Sequence, residues 1–334
     1  GLEGPLTVRA AWCPAWGPPE VVTVEERPSP DLGPGQVRVG VTAAAVNFPD
    51  VLLVAGEYQI KVPPPFVPGS EFAGTVVEAA ADVTSPAVGE RVFGTGLVGA
   101  FAEQVVVGAS AVTRIPDGVT EADAAAFGVA HRTAWHTLRS VAEVHAGDEV
   151  VVLGAGGGVG LATVQLAAHL GATVTAVASS PEKLAAASAE GATRLIDHRA
   201  GDLRQSLREA LPDGADAVID PVGGDLAEPA LRALHYGGRF VTVGFASGTI
   251  PRVPLNLVLL KGSQIRAFEF LSFMVNQPED AARNEAELLD LLAAGTVVPH
   301  IGARFPLSQA ADALALVGGG GAVGKVVVDV EQPP

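Results

Sequence analysis

The chain has 334 residues, enough for a large core and for two domains. Asp and Glu number 37 against 21 Lys and Arg, giving a net charge of −16; with the basic residues scattered, this disfavours a nucleic-acid backbone or an anionic membrane as partner. Cys13 is the one cysteine, which excludes an intramolecular disulfide framework and a multi-cysteine metal site and fits a reducing, cytoplasmic compartment.

The opening Gly1-Leu2-Glu3-Gly4 reads as a tag remnant, and no signal peptide follows it. Val8 to Ala11, Val21 to Val24 and Gln36 to Val41 read as strands, separated by Pro14, Gly17-Pro-Pro19, Pro28-Ser-Pro30 and Gly33-Pro-Gly35. Next come Asn47-Phe-Pro-Asp50 and Gly56-Glu-Tyr58, then a proline-rich loop from Pro63 to Pro68. Gly69 to Glu78, Gly89 to Phe93 and Ala102 to Val107 add strands. Short strands at this spacing, without long helices, predict a small all-β, barrel-like domain.

After Asp117 the texture changes. Glu121 to Phe127 and Ala130 to Val144 read as helices. Strands and helices then alternate: a strand at Val150 to Val152, a helix from Leu161 to Leu170, and strands at Thr173 to Val177, Arg194 to Asp197, Ala217 to Asp220 and Arg239 to Val243. Helices near Leu203 to Leu211 and Asp225 to Leu234 fall between them. This is the pattern of a doubly wound parallel sheet. Ile265 to Phe268, helices at Asp280 to Ala293 and Ser308 to Val317, and a strand at Lys325 to Val330 close the chain. The expected domains are 1–125, with 267–334 returning to it, and 126–266. The span from Val150 to Ser180 carries no charge, but its glycines, Gln165 and His169 mark it as a buried strand–helix–strand unit rather than a membrane helix.

That unit carries the strongest chemical signal. A β-branched strand runs into Gly154-Ala-Gly-Gly157-Gly-Val-Gly160 and then into a helix. The best fit to G-x-G-x-x-G is Ala155-x-Gly157-x-x-Gly160, with alanine in the first glycine place. A helix N-terminus offers free N–H groups and the positive end of its dipole, and glycine lets a pyrophosphate come close. Ala155, Gly156, Gly157, Gly158, Val159 and Gly160 are therefore candidate dinucleotide-binding residues. An NAD site places a carboxylate roughly 20 residues later. Here the second strand ends Ala178-Ser179-Ser180-Pro-Glu-Lys183. Two hydroxyls and a lysine at a strand tip suit a 2′-phosphate and favour NADPH over NADH, with Arg199 adding charge. The other reading of Lys183 is a solvated helix-face lysine.

The sequence resembles the zinc-independent quinone oxidoreductases of the medium-chain dehydrogenase/reductase superfamily. Asn47-Phe-Pro-Asp50, Gly56-x-Tyr58, Pro68-Gly-Ser-Glu71-Phe-Ala-Gly74, Gly89-Glu-Arg-Val92, the glycine turn, Ser180-Pro-Glu-Lys183, Asp220-Pro-Val-Gly-Gly224 and Gly244-Phe-Ala-Ser-Gly248 carry the likeness along nearly the whole chain. The resemblance implies a GroES-like β-barrel domain plus a Rossmann doubly wound parallel sheet, with the active site in the cleft. Zinc-dependent relatives place a cysteine where Asn47 stands and carry a four-cysteine lobe, so it implies no metal. It places Asn47 by the nicotinamide ribose, Thr133 by the carboxamide, and Gly244 and Phe245 along the nicotinamide pocket. Ser179, Ser180 and Lys183 would take the 2′-phosphate. His198 stands where the family usually has tyrosine, and His131-Arg132 is an unusual pair before Thr133. Relatives often pair through the Rossmann sheet edge, which points to a homodimer through Ala246 to Phe270.

Tyr58 reads either as a proton donor to the reduced acceptor or as a wall of the cleft. Asp50 suits a helix cap better than an active role. His136 and His169 sit among apolar residues and read as structural; His131 reads either way. Lys325 reads as structural. No nucleophile elbow is present. The expected activity is NADPH-dependent hydride transfer to a small-molecule acceptor, a quinone or an α,β-unsaturated carbonyl. The alternatives are an enoyl-thioester reductase and, from another class, a non-catalytic NADPH-binding sensor or RNA-binding protein.

Overall fold

A computed structural model describes residues 6–333. The Gly1–Gly4 segment read above as a tag remnant lies outside the described residues. Residues up to Val129, together with those from Ile301 on, form one compact unit; Ala130–His300 form the other. In chain order the strands are β1 (Thr7–Trp12), β2 (Thr23–Pro28), β3 (Gln36–Val46), β4 (Glu71–Ala79), β5 (Arg91–Thr95), β6 (Gln104–Gly108) and β7 (Val112–Arg114). In the second unit follow β8 (Glu149–Leu153), β9 (Thr173–Ala178), β10 (Arg194–Asp197), β11 (Ala215–Asp220), β12 (Leu234–Thr242) and β13 (Gln264–Ala267). Then come β14 (Ile301–Pro306) and β15 (Lys325–Asp329), back in the first unit.

The first unit is built around β3. One edge of β3 pairs with β4 along most of its length. The other edge is shared: Gln36–Gly40 pair with β6, and Ala43–Val46 pair with β15. β1 and β2 form a separate hairpin-like pair. The proline pair Pro18-Pro19 opens a tight helical turn at Pro19–Val21, so the strand expected at Val21–Val24 starts two residues later and runs on to Pro28. Alternate residues of β3 point inward, and Val37, Val39 and Val41 are fully buried with Phe72, Phe101 and Leu314. Each fully buried valine or leucine contributes about 1.5–3 kcal/mol.

The second unit is a six-stranded parallel sheet in the order β10-β9-β8-β11-β12-β13. This is the doubly wound order, with its reversal between β8 and β11. Val150 to Leu153 are all 0% exposed, so both faces of β8 are covered, as the β-branched run required. Helices Gly158–His169, Pro181–Ala189, Leu203–Ala210 and Ala227–Arg232 link successive strands.

Three expectations are corrected. The stretch from Ala130 is α-helical only to His136 and continues as a π-helical turn, Thr137–Val141. The stretch between β12 and β13 holds an unexpected helix, Leu255–Lys261, because its leucines lack an amphipathic pattern. Residues 267–300 do not return to the first unit. Helices Phe270–Asn276 and Pro278–Ala293 stay with the second; the latter is held by Glu285 on Arg132 and by Asn284 on His136 of helix Ala130–His136 and on Ser140 of the π-helical turn. Among the described residues no helix is long and apolar enough to cross a membrane.

Candidate cofactor cradle and buried polar cluster

In the second unit β8 ends at Leu153 and the chain turns at Gly154, whose φ is +60°. The sharp turn thus falls to Gly154 and not to Ala155, which is fully buried and donates its N–H to Val177 O at 3.0 Å. Gly157 opens helix Gly158–His169 with no side-chain cap. The first-turn N–H groups, through Gly158, Val159 and Gly160, are left for an anion. A Cβ on Gly160 would lie 1.9 Å from Gly154 O, so only glycine lets this helix sit so tightly on the strand end. A Cβ on Gly156 would lie 2.4 Å from the Cβ of Lys183, whose stem crosses it.

The tip of β9 brings the predicted hydroxyls and cations together. Ser180 caps helix Pro181–Ala189, its Oγ accepting the Lys183 N–H at 3.3 Å. Lys183 Nζ donates to Ser179 Oγ at 3.1 Å. The Lys183 ammonium titrates below its ordinary value, first through burial and then through the like charge of Arg199, with Glu182 opposing. His198 is also held low, first by burial, then by Arg199 and Lys183, against the pull of Asp197. Lys183, His198 and Arg199 therefore share one small region, where a bound anion would relieve their repulsion.

Gly244 and Phe245 follow β12. Ala246 N–H donates to Pro221 O at 3.1 Å, and the Phe245 ring lies against Gly223, where a Cβ would come within 3.0 Å of it. Asp220 fixes the adjoining turn by accepting the N–H groups of Val222 and Gly223, each at 2.8 Å. These residues thus gather at the C-terminal ends of β11 and β12, the side of the sheet that also carries the glycine turn. Thr133 is buried on helix Ala130–His136, which packs on helix Gly158–His169. His131, His136 and His169 each meet a side chain of their own unit. His131 Nε2 hydrogen-bonds Gln165 Oε1 at 2.8 Å. His136 meets Asn284 at 3.2 Å and lies among Phe268, Phe270 and Phe273. The ring of His169 lies 6.4 Å from that of Trp135.

The first unit holds a buried polar cluster. Asn47 precedes helix Phe48–Ala55, and the Asp50 carboxylate reaches back to accept the Asn47 N–H at 2.7 Å. The Asn47 side chain turns elsewhere. Its Nδ2 donates to Glu71 and, at 3.3 Å, to Ser70 Oγ, while its Oδ1 accepts from Lys325 Nζ at 2.7 Å. Lys325 also donates to Glu71 Oε2 at 3.1 Å and to Val46 O at 3.3 Å. Lys325 is 3% exposed and Glu71 0%, so neither charge is tolerable without the other. Glu71 was missed as a site residue. Its signal is a carboxylate opening a buried strand, Glu71-Phe-Ala-Gly74, matched by an ammonium opening Lys325-Val-Val-Val328. Tyr58 is half-buried against the same core, just past Gly56. Among the described residues no group of three or more His, Cys, Asp or Glu is placed to hold a metal. The buried Cys13 thiol donates to Ala15 O at 3.3 Å.

A barrel-like unit followed by a dinucleotide-type sheet defines the medium-chain dehydrogenase/reductase class. The family descriptions match in the same places: an alcohol dehydrogenase GroES-like domain over residues 33–117 and a zinc-binding dehydrogenase domain over 158–293. A quinone oxidoreductase-like protein 2 homolog of Nematostella vectensis is 34% identical over 98% of this chain and 91% of its own. A mycobacterial structure solved with NADPH is 31% identical, with a TM-score of 0.88 over 96% of this chain and 99% of that one. A mycocerosic acid synthase-like polyketide synthase of Mycolicibacterium smegmatis is 32% identical over 93% of this chain but only 15% of its own length. The chain belongs to the quinone oxidoreductase-like family of the medium-chain dehydrogenase/reductases, and is an oxidoreductase of that superfamily.

Asp50 yields a pH prediction. Burial raises its carboxyl from 3.8 to about 7; the Asn47 N–H, Ser70 and Lys325 oppose this, and Glu71 adds to it. Between about pH 4 and about pH 7 the folded chain holds a proton that the unfolded chain has released, so Asp50 costs stability as pH rises through that window. The melting temperature of the native chain minus that of Asp50→Asn should fall across this window. A difference that stays constant with pH would refute the assignment.

Proposed function

We propose that the protein is an NADPH-dependent, zinc-independent reductase that delivers hydride to a quinone or an α,β-unsaturated carbonyl. The observation that carries the reading is the tip of β9. Ser179, Ser180, Lys183, His198 and Arg199 suit a 2′-phosphate, and the strand ends without the carboxylate that would select NADH. The first-turn N–H groups of Gly158 to Gly160 suit the pyrophosphate, with Ala155, Gly156 and Gly157 forming the approach. Thr133, Gly244 and Phe245 are assigned to the nicotinamide end. The bound cofactor supplies the hydride. From the first unit, Asn47 is assigned a hydrogen bond to the cofactor, and Tyr58 the proton that completes reduction. Hydride and proton together turn a quinone into a hydroquinone, or an enone into a saturated ketone.

Zinc independence rests on the donor set. The Lys325 ammonium already sits among Val46 O, Asn47 Oδ1 and Glu71 Oε2, so the cluster carries its own cation and offers no thiolate or imidazole. Partial likeness to a polyketide synthase supports a second reading, an enoyl-thioester reductase. We further assign a homodimer through the outer edge of β13, since that strand ends its sheet and Ile265 on it and Leu271 shortly after it are exposed.

Four measurements test these assignments. Lys183→Ala should raise the KM for NADPH roughly tenfold or more, the scale of one lost charge-assisted hydrogen bond, and leave NADH use nearly unchanged. Equal effects on both cofactors would remove Lys183 from the 2′-phosphate site. Loss of NADPH absorbance with an ortho-quinone, a para-quinone, an enone and an enoyl-thioester ranks the acceptors. Turnover led by the thioester would replace the quinone reading, and tight NADPH binding without turnover would favour a non-catalytic role. Within that panel Tyr58→Phe should cost more with the enone than with the quinones, whose reduction can finish in solvent; no loss with either excludes Tyr58 as donor. Ile265→Lys should shift sedimentation from dimer to monomer, and an unchanged dimer would place the interface elsewhere.

A further inference from the structure

The second unit contains a cavity of about 580 Å3 that the cofactor reading does not use. It lies at the N-terminal ends of β11 and β12, bounded by Gly214 just before β11 and by Leu234 at the start of β12. The glycine turn follows the C-terminal end of β8, which runs parallel to β11. A six-residue strand spans roughly 20 Å, so the cavity and the cradle sit at opposite ends of the sheet.

Its charge runs against that of the chain. The whole protein carries −16, yet the lining includes Arg204, Arg208, Arg232 and Lys261 against the single carboxylate of Asp213. Arg204 and Arg208 stand four apart on helix Leu203–Ala210, so they share one face as like charges. Neither makes an ion pair among the described residues, whereas Arg232 leans on Glu228 at 3.7 Å. Lys261 spends two of its N–H groups on the carbonyls of Arg232 and Leu234, leaving one. Its ammonium is held below its ordinary value by burial and then by Arg232, Arg204 and Arg208, so each of the three guanidinium groups acts on Lys261. Such a cluster is destabilising until an anion occupies it.

The rest of the lining is uncharged apart from His235, which is held by the Asp216 carboxylate. Leu211 and Leu234 are buried beneath the cations, Leu257 and Pro229 flank them, and the Tyr236 ring stands at the rim, 79% exposed. A basic rim over an apolar floor with an aromatic at its edge suits a particular chemistry. Fork-shaped guanidinium groups recognise phosphoryl oxygens, and a tyrosine face stacks on a planar ring. We propose that this cavity is a second ligand site, separate from the cofactor cradle, for a small polyanion. The ligand carries at least two phosphoryl groups joined to a flat or apolar body, as in a nucleoside polyphosphate.

The test is calorimetric titration of the full chain saturated with NADPH, so that the cradle is filled, using ATP and inorganic pyrophosphate as probes. ATP should bind at one further site, more tightly than pyrophosphate, and bind more weakly as salt is added. Arg204→Glu with Arg208→Glu should weaken ATP at least tenfold. Both arginines are exposed on a helix, and a melting temperature no lower than the native chain's, with unchanged NADPH affinity, would show the double variant folded. No saturable ATP binding to the NADPH-saturated native chain, or binding that survives the double substitution, overturns the site. Equal affinity for the two probes overturns the role given to Tyr236 and the apolar floor.

Discussion

The contact between Gly160 and Gly154 O fixes the second unit. No Cβ fits between them, so helix Gly158–His169 rests directly on the end of β8. That closeness aims the helix N-terminus at the space beyond the strand, where the sheet order reverses between β8 and β11. Everything proposed for the cofactor depends on it. The Ser180 cap, the Lys183 stem over Gly156 and the turn fixed by Asp220 are all placed relative to that helix and its strand.

The first unit depends on a different constraint, the burial of two opposite charges. Lys325 and Glu71 are removed from water together, and Asn47 is hydrogen-bonded to both. Removing one partner of such a pair is costly, about 3–5 kcal/mol, because the other charge is left buried and alone. The pair also ties the returning strand β15 to β4 and to the start of helix Phe48–Ala55. A structural reading of Lys325 is therefore right as far as it goes, but its ammonium also orients the side chain of Asn47.

Electrostatics divides the molecule into a strongly acidic whole and a few concentrated basic places. The cation at the centre of the buried cluster is internal and fully matched. The cations at the tip of β9, and those around the cavity under β11 and β12, repel one another instead. Basic residues that look scattered along an acidic chain are brought together by the sheet at its two ends. Basic side chains brought close enough to lower one another's pKa are the common feature of both proposed ligand sites.

The sequence alone determined what is local. The Val150–Val152 run, the glycine turn, the Ser180-Pro-Glu-Lys183 cap and the strand–helix alternation are each written within about a dozen residues, where backbone preference and hydrophobic period act directly. The two-domain class was legible for the same reason. Tertiary structure decided what joins distant positions. Lys325 meets Asn47 across 278 residues and Glu71 across 254, and no local pattern encodes such a pairing. The same holds for Arg132 and Glu285, which keep 267–300 in the second unit, and for His131, whose doubtful role ends in a hydrogen bond to Gln165. The basic cavity draws on three separate segments between Arg204 and Lys261. Only the parallel pairing of β11 with β12 brings those segments together, because long-range contacts are fixed by burial and charge matching rather than by any preference along the chain.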